Sequence, residues 1–280
     1  MRIFAWSDLH ADYARNRDVI AAAAERDNRG DALLVAGDVS DKLDTLARTL
    51  GLLRERFAEV FFVPGNHEAW LRASGFVDSL EKLLAVRTLC ERLGVRTQPA
   101  RLVGAGSSAA VWIVPLLSWY ARPEHETDSL YVVKSTEDTT RTMWADDLFV
   151  RWPDGDGGAA AARLLGENEA QLARVYDAPV VSFSHFLPRR DLMLRTPEER
   201  LALGPGQPDR NPAFNFSRVA GSLSIDRQLR ALGARLHVYG HQHRNRDRVV
   251  DGVRYVSHCL GYAGEGATED ALRPKLVWEC

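Results

Sequence analysis

Five times in this chain a short apolar run stops at an abrupt cluster of polar side chains. Arg2–Trp6 ends in Ser7-Asp8-Leu9-His10, Ala32–Ala36 in Gly37-Asp38, and Val60–Val63 in Pro64-Gly65-Asn66-His67-Glu68. Pro179–Phe183 ends in Ser184-His185, and Arg235–Tyr239 in Gly240-His241-Gln242-His243. Short apolar runs bounded by Gly and Pro read as buried strands. In α/β folds, ligand sites lie off the strand ends. A fold that brings these five ends together concentrates Asp, Asn and His in one place.

Each cluster has its own chemistry. Strand side chains repeat with period two, so Asp8 and His10 point the same way, as do His241 and His243. A carboxylate and an imidazole converging on one point suit a borderline divalent metal. The plainer reading of Asp8 is a helix cap beside an incidental His. Gly37 lets another group approach the backbone closely, just before the carboxylate of Asp38. Asn66 offers a neutral oxygen, and His67 either a metal-binding nitrogen or a proton donor. Asp41 reads as the N-cap of the helix that follows, or as the carboxylate that orients the His67 ring. His185 is a further ligand candidate at a strand end. His237, inside its strand, reads as a packed residue. Arg189, in Phe186-Leu187-Pro188-Arg189-Arg190, either meets an anionic substrate or is simply solvated.

Between the strands, helices are expected over Arg15–Asn28, Leu43–Phe57, Phe76–Leu93, Ala159–Tyr176 and Ser222–Leu232. Val95–Val103 reads as an edge strand and turn. Arg248–Val250, Val253–Val256 and Lys275–Trp278 read as closing strands, with Asp251-Gly252 as a hairpin turn. From Ser118 to about Gly158 the periodicity is lost, while Trp119, Tyr120, Trp144, Asp146, Asp147 and Trp152 mix aromatics with acids. Aromatic content argues against disorder. This stretch is expected to be an insertion in one domain spanning residues 1–280. It would lie over or beside the site as a lid, or pack on its own aromatics. Trp119 and Tyr120 are candidates to stack on an aromatic part of a substrate, or to be core.

Composition narrows the partners. A net charge of −2 over 280 residues is not that of a polybasic nucleic-acid binder. No apolar run reaches membrane-spanning length, and the first residues lack the h-region of a signal peptide. Cys90, Cys259 and Cys280 show no CxxC spacing, which fits a reducing cytoplasm. Neither phosphate-loop motif, G-x-x-x-x-G-K-[ST] nor strand–G-x-G-x-x-G–helix, is present.

The ordered set D-x-H, G-D, G-N-H-E, S-H and G-H-x-H resembles the calcineurin-like metallophosphoesterase superfamily from Asp8 to His243. Val250–Tyr255 resembles its closing hairpin. The resemblance implies a four-layer αββα sandwich of two mixed sheets flanked by helices. Strand periodicity alone does not separate that from one doubly wound sheet. It further implies two divalent ions: Asp8, His10, Asp38 and His243 around one, Asp38, Asn66, His185 and His241 around the other, with Asp38 bridging. A hydroxide between the ions would attack phosphorus, and His67, oriented by Asp41, would act as general acid. Oxygen and imidazole donors without thiolate suit manganese, the first choice, or iron or zinc, rather than magnesium alone. The implied substrate is a phosphorylated small molecule or a phosphodiester, with monoester and diester both open. The alternative is a catalytically silent metal-binding scaffold of the same fold, which the complete motif set disfavours. No pattern here speaks to oligomeric state.

Overall fold

The chain lays down three parallel strands first: β1 (Arg2–Trp6), β2 (Asn28–Ala36) and β3 (Phe57–Val63). Next come β4 (Ala100–Val103), β5 (Ala110–Pro115), β6 (Val180–Phe183), β7 (Ala234–Tyr239), β8 (Arg246–Val250) and β9 (Val253–Ser257). These form a second sheet in the order β4-β5-β6-β7-β9-β8. Its inner pairs are parallel, and β4 and β8 are antiparallel edges. The last strand, β10 (Lys275–Glu279), returns to the first sheet and pairs antiparallel with β1, giving the order β10-β1-β2-β3. This computed structural model describes residues 1–280 apart from 25–27, 73, 105, 107, 156–158 and 204–210. The described part of the expected first helix ends at Ala24 and Asn28 opens β2 instead, while the 118–158 segment lies partly outside the described residues.

Period-two side chains explain the layering. Ile3, Ala5, Leu34, Phe61 and Val63 of the first sheet pack against Val111, Ile113, Val181, Phe183, Leu236 and Val238 of the second. The alternate residues Trp6, Leu33, Val35, Val60 and Phe62 face outward onto α1 (Ala14–Ala24), α2 (Leu43–Arg56) and α4 (Ser79–Leu93). Between β3 and α4 lies one short turn of helix, α3 (Asn66–Ala69). On the far side, Val114, Tyr239 and Tyr255 pack on Leu229 of α8 (Leu223–Ala231). The result is the expected four-layer αββα sandwich of two mixed sheets.

The expected helix over Ala159–Tyr176 is two pieces, α6 (Ala160–Gly166) and α7 (Glu169–Leu172). Gly166 weakens the helix, and the buried Asn168 side chain grips the Leu117 backbone from both ends, at 3.0 and 2.8 Å. The described residues of the 118–158 segment, 118–155, contain α5 (Asp146–Phe149) and are tied down on several sides. Backbone hydrogen bonds join Leu71 to Phe149, Ser79 to Arg151 and Leu223 to Asp128. Trp119 and Tyr120 are 2% and 3% exposed and pack with Trp152, Phe186 and Ile225. The expectation that they stack on a substrate is therefore corrected. Their rings fill an apolar cluster, as a large aromatic does when its neighbours bury it.

His237 is fully buried in β7, with its ring nitrogens 2.9 and 3.1 Å from the hydroxyls of Ser182 and Ser184. Burial pushes its pKa down to about 3. An unfolded chain holds this residue near 6.5 and so binds the extra proton first as pH falls. Stability contributed by neutral His237 is therefore present above about pH 6.5 and is lost progressively toward about pH 3. Urea denaturation across roughly pH 4–7 should show wild-type stability falling faster than that of His237→Gln, by up to about 1.4 kcal/mol per pH unit. Parallel curves would contradict this.

Candidate metal centre

The ends of β1, β2, β3, β6 and β7 meet at one edge of the sandwich, and the polar clusters meet with them. Asp8, His10 and His243 form one group of metal-competent atoms and Asp38, His185 and His241 another, each with ligand atoms within 4.8 Å of one another. His10, Asp38 and His67 form a third, overlapping group. Asn66 joins the second group through Oδ1, 3.2 Å from His185 Nε2. Asp8, Asp38, His10, Asn66 and His185 are all at most 2% exposed.

The backbone is bent to achieve this. Asp8, His10, Asp38, His241 and His243 have φ of 51°, 41°, 55°, 74° and 51°, in the left-handed region that costs a residue with a Cβ. Among the described residues only one other non-glycine, Asp251 of the closing hairpin, shares that region. Strain of this kind persists where surrounding structure enforces it and gathers at functional sites. Two motif glycines are required by close approach rather than by φ. A Cβ on Gly65 would lie 2.2 Å from Asp38 Oδ1, and one on Gly240 would lie 2.6 Å from Asp8 Oδ2.

Hydrogen bonds set which atoms face inward. His185 Nδ1 is 2.9 Å from the carbonyl of Ala36, His241 Nε2 is 2.9 Å from that of Val219, and His243 Nδ1 is 2.6 Å from Glu265 Oε2. A nitrogen that donates outward leaves the other nitrogen's lone pair facing the cluster, as in metal-binding histidines held by an outer acceptor. Asp8 Oδ1 accepts from the His241 backbone N–H at 2.9 Å, and Asp38 Oδ1 from that of His67 at 3.0 Å.

Charges follow. Burial alone would raise the Asp8 carboxyl, but the hydrogen bond and charge of His243 hold it down at about 2. Burial opposes charge on His185 and His243, yet Asp38 and Asp8 beside them push the rings up to about 9 and about 10. Burial, and then the charge of His185, press His241 down to about 3. The carboxylates that favour positive charge on the His185 and His243 rings would equally favour a cation held among the inward nitrogens. The donor set, with its buried inward lone pairs, fits divalent ions.

Two expectations fail here. Asp41 does not hold His67: its carboxylate accepts from Arg72 Nε at 2.8 Å, and its carbonyl from the buried Lys82 ammonium at 2.6 Å. His67 instead stacks on Trp70 with ring centres 3.7 Å apart, and its Nε2 is 3.2 Å from the Tyr262 hydroxyl and 3.8 Å from Asp38 Oδ2. Arg189 is not free for an anion. Its guanidinium is committed to Asp191, Asp226 and Asp251, at 2.9, 3.2 and 3.1 Å.

Other residues emerge only from the structure. Glu68, visible in its motif but without an assigned role, is fully buried and accepts backbone N–H bonds from Asp38, Val39, Ser40 and Gly65 at 3.0, 2.8, 3.0 and 2.7 Å. Burial and the Asp38 charge push it up to about 7. Tyr262 and Glu265 follow the last parallel strand in a stretch with no periodic signal. Tyr262 packs on His10 with ring centres 4.3 Å apart. Asp146 is one acid among several in the aperiodic segment, and nothing local to it marks it out.

A two-sheet αββα sandwich with buried Asp, Asn and His at its strand ends is the architecture of a metal-dependent phosphoester hydrolase. A family model described as calcineurin-like phosphoesterase matches residues 1–245, and the chain belongs to that family of enzymes. It is 28% identical over 272 residues to an acyl-carrier-protein phosphodiesterase, PptH, of Mycobacterium tuberculosis, covering 94% of this chain and 78% of that protein. The crystal structure of phosphopantetheinyl hydrolase (PptH) from Mycobacterium tuberculosis matches with a TM-score of 0.72 at 24% identity, over 98% of this chain and 95% of that one. A Thermus thermophilus crystal structure matches at TM-score 0.46 and 12% identity, over 92% of this chain and 89% of that one. Among the described residues no helix is long and apolar enough to cross a membrane.

Replacing Glu68 by Ala would strand four buried amides and release the loop carrying Asp38. Stability measured by urea denaturation should fall by about 3 kcal/mol or more, since each stranded buried donor carries a desolvation penalty. A loss below about 1 kcal/mol would show that Glu68 does not hold the loop.

Proposed function

We propose that this chain is a dinuclear metallophosphodiesterase whose substrate is a phosphodiester of the kind that joins phosphopantetheine to a carrier protein. The observation that carries the dinuclear reading is two clusters of donor atoms, Asp8–His10–His243 and Asp38–His185–His241, linked by the overlapping group of His10, Asp38 and His67. Asp8, His10, Asp38 and His243 would hold one ion, and Asp38, Asn66, His185 and His241 the other. Manganese, iron or zinc suits donors of this kind. Bound there, the ions would supply Lewis acidity toward the phosphoryl oxygens and toward attacking water.

The chain's own residues do the rest. Asp38, grouped with His10 as well as with His185 and His241, would balance the charge of the bound ions. His67 would carry a proton to the leaving oxygen, with its ring plane held by the stack on Trp70 and its Nε2 beside the Tyr262 hydroxyl. The phosphodiesterase activity of the 28%-identical relative favours diester over monoester, and the aligned length extends that likeness along 94% of this chain. The free thiols of Cys90, Cys259 and Cys280 fit a cytoplasmic setting. No motif residue is missing, which leaves the silent-scaffold reading without a specific observation in its favour.

Metal-stripped protein with manganese, zinc, iron or magnesium restored should hydrolyse bis-p-nitrophenyl phosphate faster than p-nitrophenyl phosphate, and release phosphopantetheine from a loaded carrier protein. A monoester preference, or no metal dependence, would overturn the reading. His67→Ala should keep its metals and lose about 10²–10⁴-fold in rate; loss of metal instead would make His67 a ligand of the third group. Asp38→Ala should lose both ions, and unchanged metal content would refute the bridging role.

A further inference from the structure

One carboxylate from residues 118–158 reaches into the centre. Asp146 is 2% exposed. Its Oδ1 accepts from Asn66 Nδ2 at 2.9 Å and from Trp70 Nε1 at 2.6 Å, and its Oδ2 accepts from Trp144 Nε1 at 2.9 Å. We propose that Asp146 is a positioning residue for the metal centre, fixing the orientation of Asn66, His67 and His241 at once. The inference rests on the dinuclear reading and goes beyond it by assigning this segment a part in the reaction.

The argument begins with the amide of Asn66. Its two ends have opposite hydrogen-bonding character, and an ionised carboxylate only accepts. With Nδ2 turned to Asp146, Oδ1 must turn the other way, where it lies 3.2 Å from His185 Nε2. A ligand oxygen is thereby presented to the second donor group, and the competing –NH₂ end is kept out. Trp70 extends the same control. Its indole stacks on His67 at 3.7 Å and 27° between planes, so the bond that stops the indole rotating also sets the plane of the proposed acid. Trp144 is held between rings in a similar way. It stacks on Phe214 at 5.5 Å and meets His241 edge-on at 5.7 Å and 85°.

A plain packing role would also bury Asp146, but it would not link a ligand amide and two ring planes through one group. The two roles separate by experiment. Metal-stripped wild type, Asp146→Asn, Asp146→Ala and Trp144→Phe would be titrated with manganese by calorimetry, with folding checked by circular dichroism. kcat and KM for bis-p-nitrophenyl phosphate would be measured for each. Wild type should take up two equivalents. In Asp146→Ala one of the two should bind about 10–100-fold more weakly while the other is unchanged, as loss of an outer-shell partner does. Asp146→Asn, close in shape but able to present a donor to Asn66, should show a smaller loss in the same site. In both, kcat should fall more than KM rises, and Trp144→Phe, which loosens the indole beside His241, should weaken the same ion by a smaller factor. If folded Asp146→Ala binds both ions as wild type does, the inference is wrong. If that variant does not fold, the same result in Asp146→Asn overturns it. A wild type that never takes up two ions would overturn the dinuclear reading itself, and this inference with it. Two ions bound with wild-type affinity in every variant would overturn the inference alone.

Discussion

Repulsion among buried acceptor atoms is the force this structure is arranged to resist. The carboxylates of Asp8 and Asp38 and the inward nitrogens of His10, His185, His241 and His243 share one small volume in which water is scarce. In such surroundings electrostatic terms are several times larger than in water. The neighbouring structure answers with donors aimed from outside. Backbone N–H groups of His241 and His67 each take one carboxylate oxygen. Three histidines are gripped on their far side by Ala36, Val219 and Glu265. The remaining lone pairs point at one another and define where positive charge must sit, whether proton or divalent ion.

Holding such groups together demands rigid supports. Parallel strands in two sheets buried on both faces provide them, and the strained left-handed residues at their ends can persist because neighbouring loops are locked. Glu68 supplies much of that locking. Its carboxylate binds the amides of the Asp38 loop and of Gly65, so one side chain joins the second and third strand ends. Lys82 adds a buried ammonium that ties the carbonyls of Asp41 and Trp70 to α4. Here the helices on the outer face matter to chemistry as well as to packing.

The segment between β5 and β6 belongs to the same support. Trp119, Tyr120 and Trp152 pack on Phe186, whose ring lies 4.9 Å from His185 and 4.5 Å from His241. Aromatics that resemble substrate contacts in the sequence therefore back the candidate metal ligands from behind. On the other flank Tyr262 lies against His10, His67 and His243.

Much was legible because strands announce their ends. An apolar run closed by Gly and followed by Asp, Asn or His carries its meaning locally, so the candidate ligands from Asp8 to His243, and the strands bearing them, could be read in order from the sequence alone. The hairpin at Asp251-Gly252 was equally local. Partnership across the chain was not. Whether Asp41 faces His67 or Arg72, whether Arg189 is free or surrounded by Asp191, Asp226 and Asp251, and whether Trp119 meets a substrate or Phe186 depend on rotamers chosen by distant packing. So does the choice of β10 to pair with β1, setting Ile3 beside Trp278, rather than extend the hairpin sheet. Asp146 and Tyr262 carry no local signature at all: an acid and a phenol in aperiodic stretches gain their roles only when folding brings Asn66 and His67 within hydrogen-bond reach. Sequence by itself determined which chemical groups stand at the strand ends, since covalent order decides that. Tertiary structure alone decided which groups orient them, because a hydrogen bond depends on distance and angle between atoms that the chain order leaves unrelated.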